Sequence, residues 1–126
     1  MSMRTPLGQA RGLGSARSGT GHFWLQRVTA VAGIPLTVGF IIVVVMVVGR
    51  NHAFTVQILG SPLVALTMIL FILTIVYHMW LGMQVVIDDY VHDLLLRPIA
   101  AMSNTFFCVV VGLASTYAIL KLSFSV

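Results

Sequence analysis

Residues 61–93 read SPLVALTMILFILTIVYHMWLGMQVVIDDYVHD. From Ser61 to Ile87, 27 residues pass without an Asp, Glu, Lys or Arg; then Asp88, Asp89 and Asp93, the chain's only 3 acidic side chains, arrive together. About 20 apolar helical residues cross the roughly 30 Å hydrocarbon core of a bilayer. The run therefore predicts a membrane-spanning helix with length to spare for tilt or protrusion. His78 lies nine residues before Ile87, so about 13 Å inside that end of the span.

Two further runs have the same character. Val28–Gly49 gives 22 residues, and Pro98–Leu120 gives 23. Pro35 removes one backbone donor from the first, and Pro98 stands where a first helical turn tolerates proline. The segments RNHAFTVQILG and DDYVHDLLLR read as loops. With 59% hydrophobic and 8% charged residues in 126, the chain has too little polar surface to face water all round; soluble domains carry about 25% charge. The expected fold is all-α: an integral membrane protein of three transmembrane helices. Residues 1–21 are expected to form a flexible cytoplasmic tail without a secretory h-region, and 22–126 the anchor domain, with spans at about 28–49, 61–87 and 98–120. Period-2 alternation is missing, which disfavours a barrel. No internal repeat is evident.

The net charge of +4 comes from scattered cations, with no basic run interleaved with aromatics, so nucleic acid is not an expected partner. Arg4, Arg11, Arg17, Arg27 and Arg97 fall on one side of the expected topology, Arg50 and Lys121 on the other. The positive-inside bias then puts the N-terminus in the cytoplasm, or its organellar equivalent, and the C-terminus across the membrane, which in a bacterial cytoplasmic membrane is the periplasm. This topology brings Trp24 and Arg27 to the level of Asp88, Asp89 and Tyr90. The single cysteine, Cys108, reads as a buried inert thiol.

Eleven residues separate His78 from Asp89: about 1100° of helical rotation, three turns plus roughly 20°, and about 16 Å of rise. The two side chains share a stripe, whereas Asp88 falls roughly 80° behind it and is expected to face head groups or a partner. An ionisable group deep in a span normally faces a bundle interior and has a partner. His78 can therefore be a haem-iron ligand or an imidazole hydrogen-bonded to a neighbouring helix. His22, His52 and His92 lie too near or beyond the boundaries to supply a second ligand, so a bis-histidine haem requires another chain. Tyr90 and Asp89 can serve a lipophilic carbonyl compound, the phenol donating and the carboxylate passing protons; equally, Tyr90 can be an interfacial belt residue. Arg27 can anchor the helix or meet an anion such as a haem propionate or a reduced quinone. Trp24 and Trp80 read as belt or packing residues.

His-x10-Asp-Tyr, here His78, Asp89 and Tyr90, resembles the signature of the hydrophobic membrane anchor subunits of succinate dehydrogenase, respiratory complex II. GTGHFWLQRVTAV at 19–31 resembles the entry into the first helix of that family, and the likeness covers about residues 18–122. The resemblance, to a cytochrome b-type anchor, implies a helical bundle shared with a second anchor subunit in the bacterial cytoplasmic membrane, beneath an iron–sulfur subunit and a flavoprotein subunit that hold the Fe–S clusters and FAD. It implies that His78 is an axial ligand of haem b, with the second histidine from the other anchor subunit. Tyr90 would donate to the ubiquinone carbonyl beside Asp89, and Arg27 would lie near a haem propionate and the quinone pocket. The family histidine upstream of that arginine falls one residue off His22. The chain would not be an enzyme alone, but a subunit of succinate:ubiquinone oxidoreductase. Rival readings are a fumarate reductase anchor, a transporter or proton-relay subunit using His78 and Asp89, and a purely structural bundle protein.

Overall fold

The computed structural model describes residues 3, 5–12 and 19–124. It contains five helices among them: α1 (Pro6–Arg11), α2 (Gly19–Val47), α3 (His52–Gly60), α4 (Pro62–Tyr90) and α5 (Leu96–Ser123). Three are long and apolar enough to cross a membrane: 28 residues at Thr20–Val47, 29 at Pro62–Tyr90 and 28 at Leu96–Ser123. Each spans about 42 Å at 1.5 Å per residue, so each outruns the hydrocarbon at one or both ends. The expectation for residues 1–21 falls partly outside the described residues. Within it, Pro6–Arg11 is helical, with Thr5 Oγ1 accepting from the Gly8 amide at 3.1 Å.

The central helix is α4. It packs against α2 on one side and α5 on the other, and α2 and α5 share no contact. The pairing with α2 is antiparallel: Thr29 meets His78, Gly33 faces Ile75, and Gly39 faces Thr67. A Cβ on Gly39 would stand 3.3 Å from Thr67 Cγ2, so glycine sets the backbone approach there. Phe40 and Phe71 stack nearby with centroids 4.5 Å apart. Toward α5 the ties are polar. Asn104, buried in the span, donates to the Trp80 carbonyl at 3.2 Å, and Trp80 Nε1–H donates to Thr105 Oγ1 at 3.0 Å. Trp80, expected as a belt or packing residue, is thus also an interhelical donor. Cys108 is buried, its Sγ 3.6 Å from Asn104 Oδ1.

Two expected loops are more ordered than the sequence suggested. RNHAFTVQILG is mostly the short helix α3. Gly49 turns the chain at φ 74°, and Asn51 then caps the helix by accepting from the Phe54 amide at 2.9 Å. Helix α3 packs across the ends of α2, α4 and α5. In the other loop, α4 continues through Asp88 and Asp89 to Tyr90. The next helix starts at Leu96, two residues before Pro98, because Asp93 accepts from the amides of Leu95 and Leu96 at 2.8 and 3.0 Å. That carboxylate takes up amides that a helix start leaves without intrahelical partners.

Gly60 makes the closest approach of all, since a Cβ there would stand 2.8 Å from the Leu122 carbonyl oxygen. Backbone cannot yield as a side-chain tip does, so Gly60→Ala should destabilise the chain by about 1–3 kcal/mol. Gly21→Ala, where a Cβ meets nothing within 4 Å, should be neutral or slightly stabilising. Thermal melts of the two variants in detergent check the contrast; equal melting temperatures would contradict the packing described.

Candidate functional site

The first turns of α2 and the later part of α4 lie side by side. Between them is a pocket of about 300 Å³ lined by His22, Phe23, Gln26, Arg27, Leu81 and Val85. Gln26 enters it beside Gly82, where a Cβ would come within 3.6 Å of the amide nitrogen. The Gln26 Oε1 atom is buried and has no hydrogen-bond partner. The Arg27 guanidinium lies over the Phe23 ring, 5.0 Å from its centroid, so the side chain runs back toward the helix N-terminus. His22 reaches across to Trp80, with ring centroids 6.4 Å apart.

His78 stands one turn deeper than Leu81 and is half-buried on the side of α4 facing α2. Its Nδ1 is 2.9 Å from Thr29 Oγ1. The same hydroxyl lies 2.7 Å from the Leu25 carbonyl oxygen and 3.1 Å from that of Gln26. Among the described residues no three His, Cys, Asp or Glu side chains converge on a common point. His78 is therefore a single imidazole held at one nitrogen.

The 3 acidic residues separate by role. Asp93 caps α5. Asp88 accepts from Arg97 through Nη2 at 2.8 Å and Nε at 3.3 Å, in an exposed ion pair that joins the ends of α4 and α5. Asp89 makes no such bond and is exposed, and Tyr90, the last residue of α4, is 78% exposed.

Arg27 does not share a level with these groups. The first-span helix begins at Gly19, eight residues before Arg27, which sets the arginine two turns inside α2, roughly 12 Å from its start. It meets Leu81 and Val85, one to two turns short of Asp89, and neither Asp89 nor Tyr90 lines its pocket. Thr29 and Gln26 carry no signal in the sequence that marks them as site residues. Both stand in the GTGHFWLQRVTAV stretch, but only the facing helix reveals that they meet His78 and Gly82.

Two spans packed antiparallel on a central third, with the half-buried imidazole of His78 beneath a polar helix end, define a polytopic helical membrane protein. The sequence pattern of the succinate dehydrogenase/fumarate reductase transmembrane subunit matches residues 1–119, and the chain belongs to that family. It is 36% identical over 118 residues to the succinate dehydrogenase hydrophobic membrane anchor subunit of Paracoccus denitrificans, covering 94% of this chain and 91% of the relative. It is 28% identical over 116 residues to the protein of the same description from Rickettsia bellii, covering 92% and 93%. To that from Rickettsia conorii it is 30% identical over 113 residues, covering 88% and 89%. No solved structure matches it significantly.

The Asp93 cap makes a pH-dependent prediction. The Leu96 and Leu95 amides hold its carboxyl below the ordinary aspartate range. A group whose folded-state pKa is depressed stabilises above its unfolded value, about 3.9, and that contribution fades as pH falls through the folded value. Asp93→Ala should therefore melt below wild type at pH 7, and the gap should narrow under acid conditions below about pH 4. Circular dichroism melts in detergent across that range measure it.

Proposed function

We propose that this chain is the membrane anchor of a succinate:ubiquinone oxidoreductase, contributing one axial ligand of haem b and part of the ubiquinone-reduction site. The observation that carries the reading is His78: a half-buried imidazole within a span, held at Nδ1 by Thr29, which leaves Nε2 as the candidate ligand atom. A ligating histidine commonly has its second nitrogen held by a protein oxygen in this way. Porphyrin iron brings most of its own coordination and takes only axial ligands from protein, which a single imidazole such as His78 can supply. The second anchor subunit of the complex supplies the other histidine. The haem, when bound, provides a one-electron store within the membrane.

Arg27 lines the pocket between α2 and α4 together with His22, and its guanidinium is the cation that would hold an anionic propionate. Asp89 and Tyr90 serve ubiquinone at the helix end. Reduction to the quinol takes two electrons and two protons. The phenol of Tyr90 donates to the carbonyl oxygen on which negative charge develops, and Asp89, not held by Arg97, is free to pass protons from water. The exposure of Tyr90 suits a site completed by partner chains. Electrons arrive from the iron–sulfur subunit, and succinate is oxidised at the FAD of the flavoprotein subunit. The proposed location is a bacterial cytoplasmic membrane with this end cytoplasmic and the C-terminus periplasmic, a topology that the arginine bias supports.

Replacing His78 with Ala should abolish the bis-histidine haem spectrum of the purified complex; an unchanged spectrum would exclude the ligand role. Tyr90→Phe should cut succinate–ubiquinone turnover about 10- to 160-fold, the cost of a hydrogen bond to a charged acceptor at about 1.5–3 kcal/mol. Succinate oxidation by a water-soluble artificial acceptor should be unaffected. Equal loss of both activities would point to misassembly and sink the assignment.

A further inference from the structure

We infer that Thr29 is the positioning residue of His78: its hydroxyl oxygen accepts the Nδ1–H, fixes the tautomer with a bare Nε2 and lowers the reduction potential of the iron that Nε2 binds. The inference rests on the haem ligation proposed above.

The assignment follows from counting protons. A threonine hydroxyl has one hydrogen and two lone pairs. The Leu25 carbonyl oxygen, at 2.7 Å, is the nearest of its three neighbours, and the Gln26 carbonyl at 3.1 Å is also an acceptor. Both carbonyls lie on the hydroxyl's own helix, so the hydroxyl hydrogen goes to the backbone. What Oγ1 then presents to His78, 2.9 Å away, is a lone pair. A second lone pair on Nδ1 would be repelled at that distance, so Nδ1 carries the imidazole hydrogen. A neutral imidazole has only one such hydrogen, and Nε2 is left as the ligand atom.

Two effects follow. The β-branched Thr29 side chain, fixed by its backbone bond, holds the imidazole ring at a set angle. Donation from Nδ1–H also makes Nε2 more basic, which favours ferric over ferrous iron. A hydroxyl is a weaker acceptor than a carboxylate, so the effect is smaller than that of a carboxylate–histidine pair.

The test uses the whole complex purified in detergent, in wild-type, Thr29→Val, Thr29→Ser and His78→Ala forms, with haem content and midpoint potential read from the optical bands in an equilibrium redox titration. Thr29→Val keeps the side-chain shape and removes the oxygen, and its midpoint should move positive. Thr29→Ser keeps the oxygen and should stay near wild type. Loss of haem from the Val form with retention in the Ser form supports the same role more strongly. A Val form that binds haem at the wild-type midpoint overturns the inference, as does an equal shift in Val and Ser, which would mean packing alone. If wild type carries no bis-histidine haem, or His78→Ala keeps one unchanged, the ligation reading falls and this inference with it. An unmoved midpoint in a haem-loaded Val form removes only the role of Thr29.

Discussion

Hydrocarbon solvates a leucine side chain as well as another helix does, so burying apolar surface does not by itself bring transmembrane helices together. What distinguishes one arrangement of these three spans from another is close backbone approach and a few polar bonds, and both meet on α4. Toward α2 it has Gly39 against Thr67, and His78 bonded to Thr29. Toward α5 it has Gly112 against Val76, and Trp80 tied to Asn104 and Thr105. Interhelical hydrogen bonds in membranes contribute on average about 0.6 kcal/mol each, so the register rests on their combination with tight packing. The buried apolar set is correspondingly small: Val43, Ala65, Met68, Leu81, Ile87, Cys108 and Ile119. The outer faces of α2 and α5 expose large apolar side chains such as Ile41, Val45, Phe106 and Val110.

The spans are legible in the sequence because their signal is additive over more than twenty residues, and no local detail can cancel it. The rest depends on single residues. Asn51 is a strong cap, yet α3 is too short to show a period and sits in a segment with the composition of a connection. Asp93 reads as one of three loop charges, and only the position of the Leu95 and Leu96 amides makes it a cap. The level of Arg27 differs from expectation because apolar composition marks where hydrocarbon begins, whereas the helix begins wherever the backbone starts bonding, two turns earlier. Spacing along α4 puts His78 and Asp89 on one stripe, since that needs one helix alone. The Thr29 contact is beyond reach, because it depends on the relative register of two helices, which neither segment encodes by itself.

The clustering of acids also has a physical account. A carboxylate in hydrocarbon is costly, so all three gather where α4 leaves it. Two are then committed: Asp93 to free amides, Asp88 to Arg97. The latter pair is exposed, and such pairs contribute about 0–1 kcal/mol, so its main effect is to fix which way Asp88 points. Asp89 is left uncommitted, on the stripe of α4 that carries His78 about 16 Å below it. A half-buried imidazole with one nitrogen held lies within the apolar run; an exposed carboxylate and phenol lie at its charged end. Electron storage requires no water and proton delivery requires it, so under the proposed haem and quinone roles the helix would separate along its axis the two kinds of chemistry that reduction of a lipid-soluble carbonyl compound combines.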